Sequence, residues 1–269
     1  MATGIVNPHS VAAAGFNPET DINWHTLFWA EGTKYKATNT VNGAQITTLP
    51  DEYGAVADDA TMSTGSSHFL HGTGTAGVLN GQPYWNTTAN PHGTMSTGPW
   101  VKAPPYVGTQ SGSTVIIIFE PNNPTTTHSM LMSGPNQAMG YLYMAGGSTL
   151  AVYGNSGGTA GAWGSSLAPT KGAVNALRWY RTALQWSYMY LNGLTGQQVG
   201  YATPGGYARY GVTGNEGVQL GSYATGGYPF QGAMAFMGIY SDNNGYITSD
   251  PKWNDLKAWA LSHYGATLT

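Results

Sequence analysis

The chain has 269 residues, of which only 8% are charged and 41% hydrophobic, with a net charge of −3 and no cysteine. Charged residues usually make up roughly a quarter of a soluble domain, so Thr, Ser, Asn, Gln and Gly must wet this surface. The lack of Cys excludes disulfides and thiolate metal sites. The lack of a basic run excludes a nucleic-acid footprint, and no stretch of about 18 apolar residues exists to insert in a membrane.

Residues 1–23 show neither helical nor strand periodicity and are broken by Asn7-Pro8 and Asn17-Pro18. They lack the basic start and apolar stretch of a signal peptide. They read as an extended arm that orders on a partner, with Ile5, Val6, Val11 and Phe16 as its apolar anchors. From Trp24 onward, short apolar runs alternate with Gly, Asn and Pro. The predicted strands are HTLFWAEG (25–32), AQITTLPD (44–51), STVIIIFEP (113–121), SMLMSG (129–134), GYLYMAGG (140–147), TLAVYGN (149–155), ALRWYR (176–181), WSYMYLNG (186–193), QQVGYA (197–202), GVQLGSYA (217–224) and QGAMAFMGIYS (231–241). Many short strands with regular turn signals predict a β-sandwich. In LNGLTG (191–196) the Asn-Gly pair marks a hairpin.

In YPFQGAMAFMGIYSDNNG (228–245), which holds the last of these strands, Phe230, Met234, Phe236 and Tyr240 fall on one face, and Ala233, Ala235, Met237 and Ile239 on the other. Both faces are apolar, so the strand is predicted to be buried on both sides. One helix follows, over 250–264. Asp250 suits its N-cap, Pro251 its first turn and Gly265 its C-terminal stop. Trp253, Leu256, Ala260 and Tyr264 form one apolar stripe, and Trp253 and Trp259 read as packing residues.

The order TLFWAEG, NGAQITTLPDEYG, GVLNGQPYW, STVIIIFEPNN, WSYMYLNG and VQLGSYATGGYPFQGAMAFMGIYSDN resembles the concanavalin A-like (laminin-G-like) jelly-roll domains of phages and bacteria. The resemblance covers residues 24–265. LPDEYG departs from it, with Leu and Tyr where Trp and Ser are usual. It implies an all-β jelly-roll sandwich of two antiparallel sheets, with the arm at 1–23, the domain at 24–269 and the helix within it. It also implies that FQGAMAFMGIYS is a central strand, one face in the core and the other under a loop or the helix.

Two patterns that suggest enzymes lack their contexts. GTGTAG (72–77) matches a dinucleotide loop but is followed by VLNGQPYW, which is not helical. GNSGG (154–158) matches a nucleophile elbow but leads into a glycine loop, so Ser156 reads as part of a polar hairpin. Glycosidases need two carboxylates on one face. Glu120 and Glu216 stand alone, and Asp51-Glu52 and Asp58-Asp59 read as loop pairs. His68 and His71 make a weak metal pair. DNNG (242–245) offers oxygen ligands for calcium, which related laminin-G-like domains often bind, but a single carboxylate reads first as a turn. No cofactor is expected.

The resemblance and the low charge lead to the expectation of a non-enzymatic phage virion structural protein, a capsid decoration (accessory head) protein. Its arm would bind the major capsid protein or other virion proteins, with the copies forming an array on the lattice. It would be located in the virion, assembled in the host cytoplasm. The alternative is a carbohydrate-binding module or tail-surface adhesin for host glycans. Trp163, Tyr201, Tyr207, Tyr210, Tyr223 and Tyr228, on or beside glycine-rich loops, would then stack on sugar rings.

Overall fold

The structure is a computed structural model. It describes residues 15–54, 59–62, 68–86, 101–102, 113–122, 128–133, 141–145, 149–156, 159–181, 187–199, 219–221, 229–240 and 246–269. Ile5, Val6 and Val11 of the expected arm lie outside them. Its last part is built into the domain. Asn17 caps a short helix, α1 (Pro18–Asp21), by accepting the Glu19 N–H at 2.9 Å. Trp24 Nε1 donates to the Pro18 carbonyl at 2.7 Å, and Ile22 is buried. Phe16, expected as a particle-binding anchor, packs on Trp259 with ring centroids 6.2 Å apart. Residues 15–23 therefore differ from an extended arm, because their apolar groups find partners within the chain.

Next come β1 (Thr26–Trp29), α2 (Thr33–Thr38), β2 (Gln45–Ile46), β3 (Thr48–Leu49), β4 (Ala60–Met62), β5 (Phe69–Gly72), β6 (Tyr84–Asn86) and β7 (Val101–Lys102). The long strands are β8 (Ser113–Pro121), β9 (His128–Ser133), β10 (Tyr141–Ala145), β11 (Thr149–Ser156), β12 (Thr159–Gly164), β13 (Asn175–Arg181) and β14 (Ser187–Leu191). β15 (Gln197–Val199), β16 (Gln219–Leu220), β17 (Gly232–Tyr240) and α3 (Trp253–Tyr264) complete the chain.

Among the described residues these strands form two antiparallel sheets. The first runs β15-β14-β13-β8-β17-β6-β5-β2, with β1 also paired to β17. The second runs β12-β11-β10-β9-β16-β7-β4-β3. AQITTLPD, expected as one strand, is two: β2 joins the first sheet and β3 the second. The sheets face one another across an inner core that includes Phe119, Leu177, Trp179 and Met237 from one and Leu49, Leu131, Leu150 and Leu220 from the other. This is the expected all-β sandwich.

A second core covers the outer face of the first sheet. There Ile116, Ile118, Phe236 and Tyr240 meet Trp24, Trp29 and the α3 residues Leu256, Trp259, Ala260 and Tyr264. Every residue of β17 is buried, as expected of a strand covered on both sides. Its two faces differ from simple alternation, because the pairing with β8 shifts register between Met234 and Phe236. Met234 joins Met237 and Ile239 in the inner core, and Phe236 joins Ala233, Ala235 and Tyr240 outside. The extra residue of a bulge re-aims every side chain beyond it.

α3 begins three residues after the expected start. Asp250 accepts the Lys252 N–H at 2.8 Å and so holds the turn before the helix. The helix ends at Gly265, whose φ of 71° is left-handed. No helix among the described residues is long and apolar enough to cross a membrane.

Candidate ligand-binding face

The outer face of the first sheet is only partly covered by α3. Beyond β8 it continues onto β13 and β14, where side chains alternate between the inner core and the outside. Leu177 and Trp179 face the inner core, as do Met189 and Leu191. Arg178 and Tyr180 therefore share the outer face, and the register sets Arg178 opposite Tyr190 and Tyr180 opposite Tyr188.

These four side chains form a strip. The Arg178 guanidinium carbon lies 3.8 Å above the Tyr190 ring centroid. It also lies 5.6 Å from the ring centroid of Trp253, at the start of α3. The Tyr190 ring is backed by Gly196, where an added Cβ would collide with it. That close approach follows the hairpin Leu191–Gly196, in which Asn192 (φ 50°) and Gly193 (φ 77°) make the expected left-handed Asn-Gly turn. Asn192 locks the turn: its Oδ1 accepts the Ala176 N–H and its Nδ2 donates to Asn175 Oδ1, both at 2.8 Å. Further along, Tyr180 and Tyr188 stack with centroids 6.3 Å apart and planes 18° apart. Tyr246 covers Tyr180 at 4.4 Å. Lys257 Nζ lies 5.7 Å from the Trp253 ring centroid.

The strip is graded in exposure. Tyr246 keeps 42% of its surface, Tyr180 4% and Arg178 7%, while Tyr188 and Tyr190 are half-buried. Arg178 Nε is buried and carries no hydrogen bond. Among the described residues no carboxylate lies within ion-pair distance of Arg178. Burial lowers its affinity for the proton, and the Tyr190 and Tyr180 phenols act the other way. Burial, with Tyr246 beside it, pushes the Tyr180 phenol up. Chemically the strip offers aromatic faces for stacking and a cation beside two rings.

Other titratable groups have structural partners. Asp51 Oδ1 accepts the Leu27 and Tyr53 N–H groups at 2.8 and 3.0 Å. Glu52 accepts the Lys34 and Tyr35 N–H groups, each at 2.7 Å, at the N-terminus of α2. The two neighbours thus point to different elements. Burial raises both acids, Glu52 to about 7. Glu120 Oε2 accepts the Leu79 N–H at 2.8 Å. His71 Nδ1 sits 2.9 Å from the Tyr35 hydroxyl, and burial lowers its pKa. No cluster of His, Asp and Glu fit for a metal occurs among the described residues. Gly154, Asn155 and Ser156 of GNSGG lie in β11, paired with β12, and Gly157 and Gly158 lie outside the described residues. GTGTAG leads into a single 3-10 turn, Leu79–Gly81, rather than a dinucleotide-binding helix.

Of the residues expected to stack on sugars, Trp163 is on β12, and its side chain lies outside the described residues. Tyr201, Tyr207, Tyr210, Tyr223 and Tyr228 lie outside them entirely, as do Asp242–Gly245. The strip itself was missed. Its signal was the pairing of ALRWYR with WSYMYLNG, which sets R-x-Y against Y-x-Y on one face.

No family model matches the chain, and no curated protein sequence does. Among solved structures it is similar to the botulinum neurotoxin serotype G binding domain, at 9% identity and a TM-score of 0.52, over 89% of this chain and 51% of that one. It is similar in the same way to the serotype D binding domain, at 8% identity and a TM-score of 0.50, again over 89% and 51%. A partial overlay joins it to the CBM40 of a Ruminococcus gnavus IT-sialidase bound to α2,6-sialyllactose, at 16% identity and a TM-score of 0.42, over 54% of this chain and 82% of that one. The chain thus spans about half the length of the botulinum domains, and what it shares with them is the β-sandwich fold.

Proposed function

We propose that the chain is a non-enzymatic carbohydrate-binding domain whose ligand stacks on the strip of Tyr246, Tyr188 and Tyr190. The observation that supports this reading is the strip itself. It holds a solvent-facing aromatic row, preorganised by cross-strand pairing, a locked hairpin and the start of α3. Sugar rings carry apolar C–H faces that match such a row, and rigid rings lose little freedom on binding. Botulinum binding domains put a similar sandwich to use as receptor binders, which supports the reading by analogy of fold only. The buried carboxylates described above are engaged with backbone groups, which agrees with a role in binding rather than in hydrolysis.

The test is a glycan array probed with the purified chain and with Tyr246→Ala. Binding of a glycan class by the first and its loss in the second is the expected result. An array on which the folded chain binds no glycan overturns the proposal.

A virion surface is a second setting for the same domain. It is favoured by the sequence resemblance and by the charge content of 8%. Quantitative mass spectrometry of purified particles from the source tests it. Many copies per particle support that setting and none removes it.

A further inference from the structure

The strip contains one group that stacking on a neutral sugar does not use. Arg178 is only 7% exposed, and its Nε has no hydrogen-bond partner. A buried cation is costly to keep unless something compensates it. Here the compensation within the chain is two aromatic rings, Tyr190 and Trp253. The rings attract the cation and the Tyr190 hydroxyl takes a hydrogen bond from it, but the Nε–H is left without an acceptor, so part of the donor fork is left for an anion.

The surrounding charges favour the same kind of guest. Lys257 stands over the same Trp253 ring. The nearest acid on that helix, Asp255, is engaged by Lys252 at 3.1 Å. Asp250 is occupied with the Lys252 N–H. The described end of the strip therefore holds two cations near one indole, with Asp255 paired to Lys252 rather than to either of them.

We infer that the glycan carries an anionic group, a carboxylate or a sulfate ester, and that Arg178 receives it while the adjoining tyrosines hold the ring. This rests on the carbohydrate-binding reading and narrows it to acidic sugars. The planar fork sets the geometry: two parallel N–H···O bonds to one anionic group, with the Tyr190 face keeping the guanidinium plane fixed. Lys257 adds long-range attraction without fixing orientation.

Calorimetric titration of the intact chain tests this with three disaccharides: a uronic acid, a sulfated neutral sugar and the unmodified neutral sugar. The expected result is that one or both anionic sugars bind about ten- to a hundred-fold more tightly than the neutral one, the range of a charge-assisted pair. Which of the two binds tells carboxylate from sulfate. Arg178→Lys keeps the charge and loses the fork, and is expected to bring the anionic sugar to within a few-fold of the neutral one. Should that variant fail to fold, Lys257→Ala takes its place: a preference for the anionic sugar that survives this change stays with Arg178, and one that vanishes overturns the inference. Equal affinity for neutral and anionic sugars overturns the inference and leaves the carbohydrate-binding reading standing. Binding of none of the three, with none on the array, overturns both.

Discussion

Trp24 lies across Gly238 of β17, in the space where any other residue would carry its Cβ. The indole also meets Phe236 edge-on at 5.6 Å and Tyr240 at 6.4 Å. The central strand thus leaves a gap that the first described segment fills. Gly238→Ala is expected to lose about 1–3 kcal/mol by overpacking, and Gly238→Val more. Urea unfolding followed by Trp fluorescence measures it. A loss near zero for both would show that Trp24 can move aside.

Tyr246 is the most exposed ring of the strip, and its removal separates binding from folding. Tyr246→Ala is expected to change stability by no more than about 0.5 kcal/mol, as for most surface changes. Loss of one stacking face is expected to weaken glycan binding about tenfold. Titration and thermal unfolding of one preparation give both quantities. A variant that binds like the unaltered chain would remove Tyr246 from the ligand's path.

Glu52 gives stability a defined pH dependence. Burial raises its pKa from an ordinary 4.5 to about 7, although the Lys34 and Tyr35 N–H groups favour the carboxylate. The folded chain therefore holds a proton that the unfolded chain has released between those values. This contribution is fully present below about pH 4.5 and is lost as pH rises through 7. Glu52→Gln cannot titrate, so it should lose less stability than the unaltered chain between pH 5 and pH 8, even though it loses one acceptor at the helix terminus. Parallel melting curves for the two proteins would count against the raised pKa.

His71 acts in the opposite sense. Its pKa lies below the ordinary 6.5 because it is buried. Unfolding lets it take up a proton that the folded chain refuses, so stability falls as pH drops through about 6.5. His71→Gln should flatten that acid-side fall. Melting midpoints at pH 7 and pH 5 in both proteins test this, and an unchanged slope would assign the fall to other groups.

Asn192 carries a left-handed φ and three hydrogen bonds that join the β14–β15 hairpin to β13: its own N–H reaches the Ala176 carbonyl at 3.0 Å, and its side chain reaches Ala176 and Asn175. Asn192→Ala is expected to cost about 1–3 kcal/mol, since it leaves Asn175 and the Ala176 N–H short of a partner. It is also expected to loosen Gly196 behind Tyr190 and so weaken the ligand. Denaturant unfolding and titration read the two effects.

The strands were legible because most are apolar runs bounded by Gly, Asn or Pro, and the Asn-Gly hairpin was legible because two left-handed residues in a row nearly specify it. What was not legible depends on single residues. AQITTLPD divides at Thr47, and nothing in its alternation marks the place where the chain passes from one sheet to the other. The bulge near Ala235 sits within an unbroken apolar run, so its change of phase has no polar residue to reveal it. Phe16 read as an anchor for a partner because the Trp259 ring that receives it is far along the sequence. The strip was hidden for the same reason: Arg178 and Trp253 meet only once α3 is docked.

Trp29 donates its indole N–H to the Tyr264 hydroxyl at 3.0 Å, across 235 positions of sequence. Phe16, Trp24 and Trp29 share the outer core with α3, Ala266 and Leu268. During synthesis these early aromatic residues leave the ribosome long before their partners exist. The first sheet stays in two parts until β17 joins β8 to β6, and its outer face stays bare until α3 has emerged. Premature termination within α3 would yield a chain with its strands in place and a row of tryptophans open to solvent, a species suited to chaperone capture or aggregation.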